Sequence, residues 1–173
     1  MSKKENNISK PTLSQNAVAK KSNQLLQELT RKNIDTQEVI RLIKEGVNIN
    51  IANQYDTAPL ILACKKNNTQ IARLLIEYGA DINILDHYGN TPLILACNQN
   101  NTQLATLLVE NAANVNIASR HISAPLICAC MSENFDIARL LIEYGADINV
   151  VDHYGNTPLI LACNQNNTQL AIL

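Results

Sequence analysis

Tryptophan is absent from this sequence, phenylalanine occurs once, and all aromatic residues together make up 3% of its 173 positions. A core without large rings must be assembled from Ile, Leu, Val, Ala and Cys, which favours thin, repeated packing layers. Charge is scarce too, at 17% of residues, and it nearly cancels to a formal net −1. Such a chain has no field able to hold nucleic acid or an anionic membrane by counterion release, so neither is expected as a partner. Apolar runs stay far below the roughly 18 residues of a membrane span, and the opening MSKKENNISKPTLSQ lacks the apolar stretch of a secretory signal. That opening reads as a disordered polar and basic tail over residues 1–14, with Lys3, Lys4, Lys10, Lys20 and Lys21 solvated. No Gly-rich phosphate loop occurs. His87, His121 and His153 have no Ser or Cys nucleophile at a matching place and no paired carboxylates. No catalytic residue, metal site, cofactor or small-molecule substrate is therefore expected.

What the sequence does contain is a period. Pro59, Pro92, Pro125 and Pro158 stand 33 residues apart, and Cys64, Cys97, Cys130 and Cys163 keep the same step. A fixed interval in this range marks stacked supersecondary units. Thr91 and Pro92 form a helix start, because the hydroxyl can cap and proline suits a first position whose N–H has no partner anyway. The LILAC run then fills two turns, and Asn100 follows where the chain must leave through a left-handed residue, as do Asn67 and Asn166. A second helix comes next. Leu104, Leu107 and Leu108 fall at i, i+3 and i+4, as Ile71, Leu74, Leu75 and Ile137, Leu140, Leu141 do, and Gly79 and Gly145 end two of these helices. DINILDHYGN (81–90) and DINVVDHYGN (147–156) then read as a hairpin-like finger before the next Thr-Pro.

TPLILAC, RLLIEYGADIN and D-x-x-G-N-T-P in this order resemble the ankyrin repeat, whose hallmark is T-P-L-H-x-A followed by L-L-x-x-G-A-D-V-N. The resemblance covers about residues 34–173 and implies an all-α repeat solenoid of helix-turn-helix units with β-hairpin-like fingers. It implies an atypical N-terminal cap over 15–53, with residues 22–32 as its first helix, full repeats at 54–86, 87–119 and 120–152, and an incomplete one at 153–173. The pattern is departed from in places. The TPLH histidine is Ile61, Ile94, Ile127 and Ile160, so neighbouring units should meet through apolar packing. Ala58 and Ala124 replace the capping Thr, Ala112 replaces the closing Gly, and Glu133 replaces the turn Asn. Residues 71–105 and 137–171 differ only at Ile84/Val150 and Leu85/Val151, which makes the duplicated block two units long. The third unit is the expected weak seam. The last helix is expected to fray, with Leu170, Ile172 and Leu173 partly exposed.

The five cysteines do not read as a metal or disulfide site. Four share one place in successive units, so they form a column spaced about 8 to 10 Å, too far for disulfides or for a converging tetrahedral site. Small buried residues explain them, and unpaired thiols suit a reducing, cytoplasmic setting. Four N-x-S/T sequons, three of them the same inter-helix turn, carry no expectation of glycosylation without a secretory signal.

Ankyrin proteins mostly bind other proteins through the fingers and the exposed side of the inner helices. Carried over on that resemblance, the contact positions are Gln54, Tyr55, Thr57, Lys65 and Lys66, then His87, Tyr88, Asn90, Asn98 and Gln99. In the third unit they are Arg120, His121, Ser123, Met131 and Ser132, and in the fourth His153, Tyr154, Asn156, Asn164 and Gln165. Tyr55, Tyr88 and Tyr154 share one finger position, where His121 replaces them in the third unit, and make a row of anchors. The function expected is a non-catalytic interaction scaffold for a partner protein. Two alternatives stand beside it: the targeting arm of a longer enzyme or effector cut at residue 173, and a decayed gene product without a partner. The Asn-rich style also resembles ankyrin proteins of intracellular bacteria, some of which act inside a host cell.

Overall fold

A computed structural model describes residues 14–53, 57–119 and 124–172. Among the described residues there are ten helices and no strand: α1 (Gln15–Thr30), α2 (Thr36–Lys44), α3 (Pro59–Lys65), α4 (Thr69–Glu77), α5 (Pro92–Asn98), α6 (Thr102–Glu110), α7 (Pro125–Met131), α8 (Phe135–Glu143), α9 (Pro158–Asn164) and α10 (Thr168–Ala171). They pair as α1/α2, α3/α4, α5/α6, α7/α8 and α9/α10, and each pair packs on the next, inner helix on inner helix throughout and outer on outer from α4 to α10. The result is an all-helical repeat solenoid.

The local reasons for each unit are legible bond by bond. Proline opens α3, α5, α7 and α9 at the first position, and the Thr91 hydroxyl accepts from the Ile94 amide at 3.1 Å, as Thr157 does from Ile160 at 3.3 Å. Ala58 and Ala124 give no side-chain cap. Each of α3, α5, α7 and α9 then ends on a left-handed residue, Asn67, Asn100, Glu133 or Asn166, at φ between 52° and 56°. In the first of these turns the Asn68 and Asn67 amides return to the Ala63 and Cys64 carbonyls at 2.9 and 2.8 Å, a Schellman closure. Asn68, Asn101 and Asn134 are used a second time, as side-chain caps of α4, α6 and α8. Gly79 and Gly145 close α4 and α8 at φ 87° and 84°, and Ala112 closes α6 with the same two bonds at φ 66°.

Burial follows the stack. Ile61, Ile94 and Ile127, which stand in place of the family's histidine, are fully buried, so the units do meet through apolar packing there. Polar links between units run instead along the loops: the Asn50, Asn83 and Asn116 carboxamide oxygens accept the Asp81, Asn114 and Asp147 amides at 2.8 to 2.9 Å. Leu93 is 0% exposed and its duplicate Leu159 is 56% exposed. The two leucines sit in identical local sequence, so the difference comes from the stack: α5 packs between α3 and α7, whereas α7 is the one inner helix among the described residues that packs on α9. Ile172 is 84% exposed, while the side chain of Leu170 and all of Leu173 lie outside the described residues.

The first helix corrects the expected start at 22. It begins at Gln15, capped by the Ser14 hydroxyl, and ends at Thr30. Ser22, Leu25, Leu26 and Leu29 lie at i, i+3, i+4 and i+7 and are buried on one face, and Lys20 and Lys21 ride on this helix rather than in a loose tail. Lys21 pairs with Glu45 at 2.8 Å, and the Ser22 hydroxyl accepts the Asn48 amide at 2.9 Å, so both tie α1 to the end of α2. Lys3, Lys4 and Lys10 lie outside the described residues.

Candidate protein-binding face

Each described finger is organised by one carboxylate. The Asp86 carboxylate accepts the Tyr88 and Asn90 amides at 2.9 Å each, the Asp86 amide donates to the Asn90 carbonyl at 3.0 Å, and Gly89 sits left-handed at φ 79°. This is an Asx turn, in which a short acidic side chain does the work of a backbone acceptor. Asp152 repeats it with Tyr154 and Asn156 at 2.8 Å each and Gly155 at φ 80°. The finger is therefore a closed turn rather than a strand ladder. Burial works to raise the Asp86 carboxyl, but the bonds from Lys65 and Asn90 outweigh it and hold it below the usual aspartate range. Asp152 is lowered as well, chiefly by the Asn156 side chain.

The turn fixes what its tip displays. Asp86 and Asp152 point inward and are buried, so the next two residues must point out. Tyr88 is 59% exposed and Tyr154 is 78% exposed. His87 and Tyr88 pack edge to face with ring centres 5.4 Å apart, and His153 and Tyr154 lie tilted at 3.8 Å. Each tip is thus an aromatic pair on a rigid base, with large contact area and little rotamer freedom left to lose.

The remaining candidate positions divide. Met131 is 53% exposed on the last residue of α7. Lys65 is half-occupied within the chain: its ammonium lies 2.9 Å from the Asp86 carboxylate and 5.9 Å from the centre of the Tyr88 ring. Lys66 donates to the Thr30 carbonyl at 3.0 Å and to the Arg31 carbonyl, which satisfies the open end of α1. Asn90 and Thr57 are buried. Tyr55, Arg120 and His121, with Gln54 and Ser123, lie outside the described residues. The aspartates that build the fingers were not singled out from the sequence, although the D-x-x-G spacing at 86–89 and 152–155 was the available signal.

Residues 15–119 match the family described as Ankyrin repeats (3 copies), and residues 126–173 match Ankyrin repeats (many copies). The chain belongs to the ankyrin repeat family. Ankyrin repeats are in general protein–protein interaction modules, and the family is in general non-catalytic. A search of the curated proteins finds no significant match.

Chemistry elsewhere in this ankyrin stack is muted. Cys64, Cys97, Cys128 and Cys130 are buried thiols in no disulfide, and burial pushes Cys64 and Cys128 up to about 12 and Cys130 up to about 11. Thiols so far from ionisation are poor nucleophiles and poor metal ligands. Cys163 is the exposed member of the column, on the same uncovered helix as Leu159. Among the described residues no three His, Cys, Asp or Glu side chains gather to hold a metal ion, and no helix is long and apolar enough to cross a membrane. A cleft of about 240 Å³ opens between the third and fourth units, lined by Leu126, Cys130, Ile142, Ile148, Pro158 and Leu159. It lies beside α10, which is four residues long where α4, α6 and α8 have nine.

Proposed function

We propose that this protein is a non-catalytic recognition scaffold that binds a partner protein through its finger tips and the adjoining ends of the inner helices. The observation that carries this reading is the pair of exposed His–Tyr tips, held out by buried aspartates. Scaffold residues repeat for packing reasons, whereas the rings of Tyr88 and Tyr154 stay largely exposed on their turns. Tyr55, His121 and Arg120 complete the row at the equivalent sequence positions, and Lys65 and Met131 flank it. Cysteines that are buried and in no disulfide are in keeping with a cytoplasmic site of action, in the producing cell or in a host.

Tyrosines at the ends of outer helices supply the control. Tyr78 and Tyr144 are also exposed, at 45% and 50%, but they cap the ends of the outer helices α4 and α8. A photo-crosslinking phenylalanine analogue placed at position 88 or 154 is expected to capture a protein from lysate that the same group at 78 or 144 does not. Capture from all four positions, or only from the outer pair, would move the binding face elsewhere.

A further inference from the structure

The duplicated block offers a comparison of one finger with its copy. In the first finger, the Lys65 ammonium at the end of α3 sits 2.9 Å from the inward carboxylate of Asp86 and 5.9 Å from the centre of the Tyr88 ring. A lysine is thus seated between an acid and an aromatic face. Sixty-six residues on, the copy keeps Asp152, Tyr154, Asn156 and Gly155 with the same hydrogen bonds, but the residue in the place of Lys65 is Met131. Among the described residues Asp152 has no ion pair. Tyr154 is also more open than Tyr88, at 78% against 59% exposed, and Met131 is itself 53% exposed.

We infer that the Asp152–Tyr154–Met131 corner is a seat for a lysine side chain of the partner protein, occupied as Lys65 occupies the Asp86–Tyr88 corner. The inference rests on the finger row being the binding face and names what one part of that row reads. Asp152 supplies the charge, and its remaining bonds to backbone amides and Asn156 fix the direction in which the carboxylate can accept. Tyr154 supplies a ring face for the ammonium. Met131, unbranched and adaptable, supplies an apolar rest for the methylene stem. The first finger does not compete for such a ligand because its own chain already fills it, so the partner's lysine is directed to one end of the row.

The probe is the peptide acetyl-Gly-Gly-Lys-Gly-Gly-amide, with the norleucine peptide as control, followed by amide chemical shifts at constant ionic strength and constant pH. A single ion pair with one cation–π contact is weak, so titration runs to about 100 mM. The lysine peptide is expected to shift the amides of Tyr154 and Asn156 and to leave those of Tyr88 and Asn90 in place. Met131→Lys is expected to abolish the response, and Lys65→Met to create one at Tyr88. Because Met131→Lys fills the seat from within, it is also expected to raise the melting temperature, a readout that separates occupancy from misfolding. No shift at Tyr154, an equal shift with norleucine, or an undiminished response in Met131→Lys would each overturn the seat. A partner that still crosslinks from position 154 while the lysine peptide fails would leave the binding face standing and remove only the lysine.

Discussion

Ala112 carries a backbone conformation that its side chain resists. Its φ of 66° closes α6 with the same pair of bonds that Gly79 and Gly145 use for α4 and α8. An L-residue with a Cβ meets a carbonyl oxygen there, which costs on the order of 1 kcal/mol. Ala112→Gly is therefore expected to stabilise the protein by about 1 kcal/mol, read as a higher midpoint in urea with an unchanged slope. No gain would mean that α6 ends differently in solution. Glu133, at φ 54°, stands in the same difficulty at the end of α7. Both were legible in the sequence because the 33-residue phase showed which residue every other unit uses there. Lys66 was not legible. Its partners, the carbonyls of Thr30 and Arg31, lie some 35 residues upstream in a helix without the repeat signature, and no local pattern announces that contact.

Two helices of one sequence show how little of an element's stability is its own. PLILACN forms both α5 and α9, with the same threonine cap and the same left-handed asparagine beyond it. In α5 Leu93 is fully buried against its neighbours, and in α9 Leu159 is mostly exposed. Leu93→Ala removes a packed side chain and leaves a cavity, so it is expected to cost about 3 kcal/mol. Leu159→Ala is expected to cost under about 1 kcal/mol, since its side chain is already largely in water. Equal losses in denaturant unfolding would show that α9 is covered in solution. The N-terminal helix teaches the complementary point. With no Thr-Pro to mark its start, the apolar spacing pointed to its interior but not to its beginning at Gln15, which Ser14 sets with one hydroxyl.

Across the whole molecule, what was legible from sequence is what the period enforces: helix pairs, their turns, the buried Ile61, Ile94 and Ile127 that replace histidine, and the exposed tip positions of Tyr88 and Tyr154, while Ile160 is 42% exposed. What was not legible is how much of the surface the fold keeps for itself. Asn90 and Thr57 are buried and Lys65 and Lys66 have partners within the chain, so fewer positions are free to meet a partner than family precedent implies. Those partners come from neighbouring units, and single-unit patterns do not carry them. The tips that remain, His87 with Tyr88 and His153 with Tyr154, are exposed and held on closed turns.

The most direct measurement compares capture of the crosslinked partner by two variants of equal helicity. One carries alanine at His87, Tyr88, His153 and Tyr154, and the other carries alanine at Arg73, Glu77, Arg139 and Glu143 on the outer helices. Loss of the partner by the finger variant and retention by the outer-helix variant is the predicted result. Retention by the finger variant, with loss by the other, would contradict the account and place recognition on the outer helices.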